Sequence, residues 1–310
     1  MSPIDAVLLL AFGGPEAPEE IRPFLAEVAR GRTIPPARLE EVARHYAQMP
    51  GGRSPLPALT RVQARALEAM LAGINLPLPV FVGMRHGRPS VAEALAAMAA
   101  RGVRRAAGVI LAAFRTEASW ERYQRAVAEA RARTPGAPEV AFVPHVGAHP
   151  LFVQAVADRA AAALAAVPAA ARAATPLVFT AHSVPVAMAA ASPYVEDFHA
   201  AAAAVAARLG HGRWCLAYQS RSGPPEEPWL GPDVDAVLRG LAAAGARHVV
   251  VVPIGFVCDH VEVLYDLDVE ARATAAALGL QFHRATAVND HPAFVAALAD
   301  LVQRACVAVG

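Results

Sequence analysis

The chain has 310 residues, 55% of them apolar and 18% charged, with a formal net charge of +1 at pH 7. Its length suits two domains of about 150 residues each, its composition excludes a disordered protein, and its charge excludes bulk attraction to nucleic acid or to an anionic membrane. All 28 basic residues are arginine, which excludes Schiff-base catalysis and a phosphate-binding loop lysine.

Apolar runs alternate with helical patterns through the first half of the chain. The continuous run 5–12 predicts a strand buried on both faces, and Pro18, Glu19 and Glu20 begin a helix. Further along we predict helix 36–48, helix 57–73, strand 79–84, helix 90–101, strand 106–112, helix 118–133 and strand 138–143. This alternation predicts a parallel sheet covered by helices.

The second half repeats the scheme. We predict helix 150–166, strand 176–181, helix 195–208, strand 213–218, helix 232–243, strand 247–254, helix 259–277, strand 280–284 and helix 291–307. Segments 134–138 and 167–175 are rich in Pro, Gly and Ala and predict surface loops, and 221–232 predicts a longer loop. The chain is therefore expected to contain two β/α units in tandem.

Cysteine use and the first residues indicate a compartment. Cys215, Cys258 and Cys306 lie far apart without a CxxC pair, which disfavours a cysteine-based zinc or iron–sulfur site and fits a reducing cytosol. The first apolar run follows no basic region and precedes no small-residue cleavage site, so it predicts a strand and not a signal peptide. With no apolar run long enough to span a bilayer, we expect a cytoplasmic protein.

The stretch 247–271, RHVVVVPIGFVCDHVEVLYDLDVEA, predicts a buried strand that leads through Gly255 and Phe256 into a helix. On that helix Glu262, Asp266 and Glu270 are spaced i, i+4, i+8, which places three carboxylates on one face, one turn apart. Such a row is either a solvated face or a track for a cation. Its start at the carboxyl end of a strand, where open α/β sheets bind ligands, favours the track.

His182 directly follows the apolar run 177–181, and Pro185 prevents the strand from continuing. A histidine there can bind a metal ion or accept a proton near neutral pH; the alternative is a histidine that only stabilises a turn. Ser183 lacks the G-x-S-x-G context of a nucleophile, which disfavours hydrolysis. Gly13-Gly14 lacks the spacing of a dinucleotide fingerprint, which disfavours a nicotinamide or flavin enzyme.

Several polar residues fall around the predicted mouth of the first sheet: Arg30, Arg32, His45, Ser54 and Tyr123. Arginine forks recognise carboxylates with two hydrogen bonds. A substrate that carries acidic side groups could therefore dock there, although each of these residues taken singly also fits an ordinary surface position.

Seven stretches resemble the class I ferrochelatases, in the same order along the chain. They are AFGGPEAPEEIRPFL (11–25), RGR (30–32), GGRSPL (51–56), TAHSVP (180–185), YQSR (218–221), PWLGPD (228–233) and GFVCDHVEVLYDLDVEA (255–271). The short form with RGR is most similar to the coproporphyrin ferrochelatases of monoderm bacteria. The resemblance implies an α/β fold of two Rossmann-like, chelatase-type domains, 1–145 and 146–310, with the active-site cleft between them and the last helix packed back on the N-terminal domain.

The resemblance also implies insertion of ferrous iron into a porphyrin during haem synthesis, with coproporphyrin III as the substrate. A protoporphyrin IX ferrochelatase, a cobalt chelatase of related fold and a non-catalytic porphyrin or haem carrier are the alternatives. By motif, His182 and Glu262 match the catalytic pair that faces the macrocycle and binds metal, and Asp266 and Glu270 match outer carboxylates that pass metal inward. The positions that match substrate-binding residues are Phe12, Arg30, Arg32, His45, Ser54 and Tyr123.

Three departures from the family pattern qualify this picture. Phe12 stands where many coproporphyrin enzymes have a tyrosine that approaches the metal from the side opposite the histidine. His45 stands where an arginine is common, which weakens one propionate contact. The four-cysteine cluster of some relatives is missing, so we predict no [2Fe–2S] centre and no tightly bound cofactor. We expect a monomer whose partners are the porphyrin and Fe(II), both as substrates.

Overall fold

The computed structural model describes residues 3–31, 36–224 and 226–307. Contacts between Cα atoms divide the chain into two units. Unit 1 comprises Met1–Leu111, Ala118–Pro144 and Leu298–Gly310, and unit 2 comprises Ala112–Glu117 and His145–Ala297. Within the described ranges, no helix is both long enough and apolar enough to cross a membrane.

Unit 1 contains a four-stranded parallel sheet. Its strands are β1 (Ala6–Ala11), β2 (Val80–Met84), β3 (Arg105–Ile110) and β4 (Glu139–Phe142), in the spatial order β2-β1-β3-β4. Every residue of the central strand β1 is buried, as its unbroken apolar run predicts. Burial of each leucine in this strand contributes about 2 kcal/mol to the core.

Within the described residues, five α-helices lie between β1 and β4 along the chain: α1 (Ile21–Ala29), α2 (Pro36–Gln48), α3 (Leu56–Gly73), α4 (Val91–Ala100) and α5 (Arg122–Arg133). One-turn 3₁₀ helices span Pro18–Glu20 and Pro50–Gly52, and a π turn, Glu117–Glu121, precedes α5. The start of α4 is set by a capping box, because the Ser90 hydroxyl accepts from the Glu93 N–H and the Glu93 carboxylate accepts from the Ser90 N–H.

Unit 2 repeats the topology. Its strands are β5 (Leu177–His182), β6 (Trp214–Gln219), β7 (His248–Val252) and β8 (Gln281–Arg284), all parallel, in the spatial order β6-β5-β7-β8. In each unit the chain passes from the first strand to a neighbour on one side and then to a neighbour on the other. The strand order therefore reverses beside β1 and beside β5, and ligands bind at such reversal points in open α/β sheets.

The helices after β4 are α6 (Pro150–Ala165), α7 (Ala169–Arg172), α8 (Val186–Ala190), α9 (Tyr194–Leu209), α10 (Val234–Ala243), α11 (Val261–Tyr265), α12 (Arg272–Ala277) and α13 (Pro292–Val307). A core of buried side chains joins β5 and β7 to α10 and to the helical stretch after β7; it includes Val178, Leu238, Val251 and Leu267. This confirms the predicted fold class of parallel sheets flanked by helices.

Three sequence expectations need correction. Segment 167–175, predicted as a loop, contains the short helix α7, since its alanines favour helix where the flanking prolines do not. The predicted helix 259–277 starts at Val261 and is interrupted by a π segment, Asp266–Ala271, between α11 and α12. Strand 247–254 ends at Val252, because Pro253 has no N–H to donate to the sheet.

Candidate active site

His182 is the last residue of β5, and its register partner on β6 is Gln219. Its Nδ1 lies in a short hydrogen bond with the carbonyl oxygen of Ser183. Because a carbonyl oxygen can only accept, Nδ1 carries the proton and Nε2 keeps its lone pair in the neutral ring. That Nε2 lies 3.6 Å from Oε1 of Glu262. The imidazole is therefore set up to accept a proton or to bind a metal ion through Nε2.

Two hydroxyl groups form hydrogen bonds at the end of β5, at His182 and at Ser183. The Tyr194 hydroxyl donates to the His182 carbonyl oxygen at 2.8 Å, and burial raises the pKa of Tyr194, which keeps this donor protonated. The buried Ser183 hydroxyl donates to the Leu230 carbonyl oxygen at 2.8 Å. This hydrogen bond ties the segment just after β5 to the chain at Leu230.

The loop after β7 runs closely against β5 and carries Glu262 to His182. The Gly255 N–H donates to the Thr180 carbonyl oxygen at 2.9 Å. A Cβ at position 255 would lie 2.6 Å from the Cα of Ala181, so only glycine permits this approach. The close approach is what brings the segment after β7 to the end of the histidine strand.

The backbone of Glu262 is fixed at both of its polar groups. Its N–H donates to Nδ1 of His260 at 3.2 Å, which caps α11, and its carbonyl oxygen accepts from Nε2 of Gln219 at 2.7 Å. Burial lowers the pKa of His260, so this ring stays neutral and keeps its capping lone pair. The carboxylate of Glu262 remains 42% exposed and can meet a ligand.

Asp266 is the next carboxylate along, and its environment favours the protonated form. Burial raises its pKa to about 7, assisted by the charges of Glu262 and Glu270, although the hydrogen bond from the Ser220 hydroxyl opposes the rise. Burial is the largest single influence and lowers the pKa of His182, but the Glu262 carboxylate, the Ser183 carbonyl and Asp266 together outweigh it, so the pKa is raised. Asp266 thus exchanges a proton near neutral pH beside a histidine whose pKa is raised.

The acidic row is less regular than the i, i+4, i+8 spacing predicts. The α-helix α11 still joins Glu262 to Asp266, but Asp266 and Glu270 both lie in the π segment Asp266–Ala271, whose turns are wider, so Glu270 is not stacked one α-turn beyond Asp266. Glu270 is exposed. Among residues 3–31, 36–224 and 226–307, no three His, Cys, Asp or Glu side chains are grouped so that they could hold a metal ion. The metal-binding set of four residues therefore stays a prediction.

Asp266 gives a prediction about stability. Its pKa of about 7 lies above the ordinary value of 3.8, so its favourable contribution is complete below about pH 4 and is lost as the pH rises through 7. We expect Asp266→Asn to raise the free energy of unfolding by about 1–3 kcal/mol at pH 8 and much less at pH 5. Urea unfolding of the metal-free protein measures this, and a gain equal at both pH values would contradict it.

Phe12, the first residue after β1, is half-buried in an aromatic and cationic environment. Its ring centroid lies 4.9 Å from that of His86 and 6.3 Å from that of Phe24. The Arg85 guanidinium lies 5.2 Å from the Phe12 ring and 5.2 Å from the Tyr123 ring. Arg85 therefore connects two of the residues predicted to bind substrate.

The other candidates in unit 1 differ in exposure. Ser54 is buried and its Oγ accepts from the Leu56 N–H at 3.3 Å, while a Cβ at Gly14 would lie 2.5 Å from that Oγ. Arg30 is exposed just after α1, and His45 is half-buried in α2, where burial lowers its pKa. Arg32 lies outside the described residues. The proposed substrate contacts of all these residues stay predictions.

Several residues at strand ends were missed by sequence reasoning although a signal existed. Arg85 and His86 directly follow β2, and Gln219 and Ser220 stand at the end of β6. The rule that selected His182, a polar residue at the carboxyl end of a parallel strand, selects these four as well. Tyr194 carries no such signal, because it acts from the start of a helix.

Comparison with known proteins shows the family to which this chain is similar. A family model described as Ferrochelatase matches residues 4–306. The coproporphyrin III ferrochelatase of Mycolicibacterium smegmatis is 45% identical over 302 residues, covering 96% of this chain and 88% of that protein.

Solved structures at low identity share the fold. The cobalt complex of the sirohydrochlorin chelatase SirB from Bacillus subtilis subspecies spizizenii has a TM-score of 0.59 at 14% identity, covering 98% of this chain and 96% of that one. A multi-domain protein of Deinococcus radiodurans with structural similarity to chelatases has a TM-score of 0.60 at 15% identity; the match covers 97% of this chain and 55% of that longer one.

Proposed function

Because the chain belongs to the ferrochelatase family, we propose that it inserts Fe(II) into coproporphyrin III in haem synthesis. The substrate follows the name of relatives such as the mycobacterial enzyme. The observation that carries the chemistry is the pair formed by His182 and Glu262, with Nε2 3.6 Å from a carboxylate oxygen at the carboxyl end of β5. This pair supplies a base and an anionic metal ligand side by side.

We propose the following division of labour in the reaction. Two pyrrole N–H bonds break, four nitrogen–iron bonds form, and two protons leave. His182 accepts a pyrrole proton or receives the iron through Nε2, a role that suits an imidazole whose ordinary pKa is about 6.5. Glu262 stabilises the resulting imidazolium. It also binds the incoming iron, because a hydrated divalent cation favours hard carboxylate oxygens as ligands.

Asp266 and Glu270 are proposed to pass iron toward Glu262. A pKa of about 7 lets Asp266 give up its proton when a cation arrives and recover it when the cation leaves.

On the substrate side we propose that propionates are bound by Arg30, Arg32, His45, Ser54 and Tyr123, and that Phe12 contacts the ring. Coproporphyrin III carries four propionates and protoporphyrin IX carries two. Arginine and hydroxyl groups distinguish the two porphyrins, because with protoporphyrin IX some of these groups are left without a propionate and binding free energy is lost. The exposed Arg30 reaches a carboxylate more readily than the buried Ser54, whose hydroxyl requires a small rearrangement to do so.

An anaerobic assay separates the candidate functions. Purified protein is mixed with Fe(II) and either coproporphyrin III or protoporphyrin IX, and the loss of free-porphyrin absorbance is followed. Faster metallation of coproporphyrin III supports the proposal. Faster metallation of protoporphyrin IX assigns the chain to that substrate, and binding without metallation of either makes it a carrier.

We also propose that no iron–sulfur cluster is present and that Fe(II) is a substrate only. The chain has three cysteines, one fewer than a four-thiolate cluster uses, and burial raises the pKa of Cys258 to about 12, which disfavours the ligating thiolate. The expected result is that anaerobically purified protein contains no acid-labile sulfide. Stoichiometric sulfide together with iron would contradict the proposal.

A further inference from the structure

Arg284, the last residue of β8, contacts two carboxylates that flank Glu262 and Asp266 in the sequence. Its Nη1 donates to Oδ1 of Asp259 at 2.7 Å. Its Nε donates to Oδ1 of Asp268 at 2.8 Å, and its Nη2 lies 2.7 Å from Oδ2 of the same carboxylate. Asp259 precedes Glu262 by three residues, and Asp268 follows Asp266 by two. Along the chain, the two carboxylates that Arg284 contacts therefore bracket Glu262 and Asp266, two of the three proposed metal-binding carboxylates.

The arrangement is largely buried and well hydrogen-bonded. The side chain of Arg284 is 10% exposed and that of Asp259 is 13% exposed. Asp259 also accepts from the Ala287 N–H at 3.1 Å and from Nδ2 of Asn289 at 2.8 Å, and its own N–H donates to Oδ1 of Asn289 at 2.9 Å. We call Arg284, Asp259, Asp268 and Asn289 the Arg284 clamp. A buried charge set with this many partners holds a single geometry.

Asp268 lies inside the π segment Asp266–Ala271. A π turn is rare and carries one residue more than an α-turn, so a return to α-helix would rotate the residues on one side of it relative to those on the other. The clamp opposes that return because one rigid, planar guanidinium binds both Asp268, within the π segment, and Asp259, which precedes α11. The π segment starts at Asp266, directly after the helix α11 that carries Glu262, so the orientation of Glu270 relative to Glu262 depends on the same turn.

We propose that Arg284 is a positioning residue for iron insertion. Through Asp259 and Asp268 it maintains the π turn and keeps Glu262 beside His182, without touching iron or porphyrin itself. The expected effect on iron kinetics rests on the proposed function, whereas the expected effect on the π turn rests on the clamp geometry alone. The competing explanation is that the clamp only stabilises unit 2.

Arg284→Lys tests the proposal, because lysine keeps the charge and loses the planar fork that reaches both carboxylates. We expect kcat/KM for Fe(II) to fall by about 10- to 100-fold, as for other residues that orient metal ligands, with KM for the porphyrin unchanged. Arg272→Gln is the matched control: Arg272 also contacts Asp268, at 3.1 Å, but its side chain is 49% exposed and makes no contact with Asp259 in the described hydrogen bonds. We expect wild-type kinetics from it.

Wild-type iron kinetics in Arg284→Lys, even with a lower melting temperature, would overturn the proposal. If the lysine variant does not fold, Asn289→Ala replaces it, since this change loosens Asp259 and leaves the guanidinium in place. If the wild-type protein metallates no porphyrin, the proposed function fails separately. The clamp is then judged by the crystal structure of the variant, in which a retained π turn and a retained 3.6 Å separation between His182 and Glu262 overturn it.

Discussion

Replacing His182 with alanine is expected to lower kcat for iron insertion by about 10²- to 10⁴-fold, the range typical of a lost general base. The hydrogen bond from Nδ1 to the Ser183 carbonyl oxygen leaves Nε2 with a lone pair. That Nε2 lies beside the Glu262 carboxylate. Alanine removes both the proton acceptor and the metal ligand. The measurement is steady-state metallation of coproporphyrin III under anaerobic conditions, with porphyrin affinity determined in parallel by fluorescence quenching.

The control for this variant is His248→Ala. His248 begins β7 and stacks on His283, with ring centroids 5.7 Å apart, so the change removes an imidazole from the amino end of a strand instead of the carboxyl end. We expect its turnover to match the wild type. Retained turnover in His182→Ala would remove the histidine from its proposed role, and loss of porphyrin affinity in that variant would point to a binding role instead.

The strand ends explain how much of the site could be foreseen. His182 was selected because an apolar run stops there, and the structure places it as the last residue of β5. Glu262 stands out because it begins a row of carboxylates after the apolar run 247–254, and β7, which forms in that run, lies directly against β5. Two short-range patterns therefore predict a long-range contact, because parallel strands bring their carboxyl ends to one edge.

The π segment was beyond sequence reasoning. The run from Val261 to Ala277 has the apolar spacing of a helix, and α- and π-turns differ by one hydrogen-bond step that a periodic pattern does not resolve. What distinguishes them is the clamp, in which Arg284 from another strand binds Asp259 and Asp268. The identity of such a partner depends on tertiary contacts, which local sequence does not encode.

Glu262→Gln is expected to lower kcat/KM for Fe(II) by about 10²-fold. Glutamine keeps the shape and loses the charge that binds the cation. It also loses the charge that contributes most to raising the pKa of His182 against burial. The pKa of His182 therefore falls below its wild-type value, and the ring becomes a neutral base at lower pH. The acid limb of the pH–rate profile for iron should therefore move to lower pH in the variant.

Glu196→Gln makes the same change of charge at an exposed residue of α9 and controls for it. We expect its pH–rate profile and its iron dependence to match those of the wild type. A Glu262→Gln profile that falls in height without moving along the pH axis would mean that Glu262 binds iron but does not tune His182. A profile unchanged in both respects would mean that the 3.6 Å contact between the two side chains carries none of the chemistry.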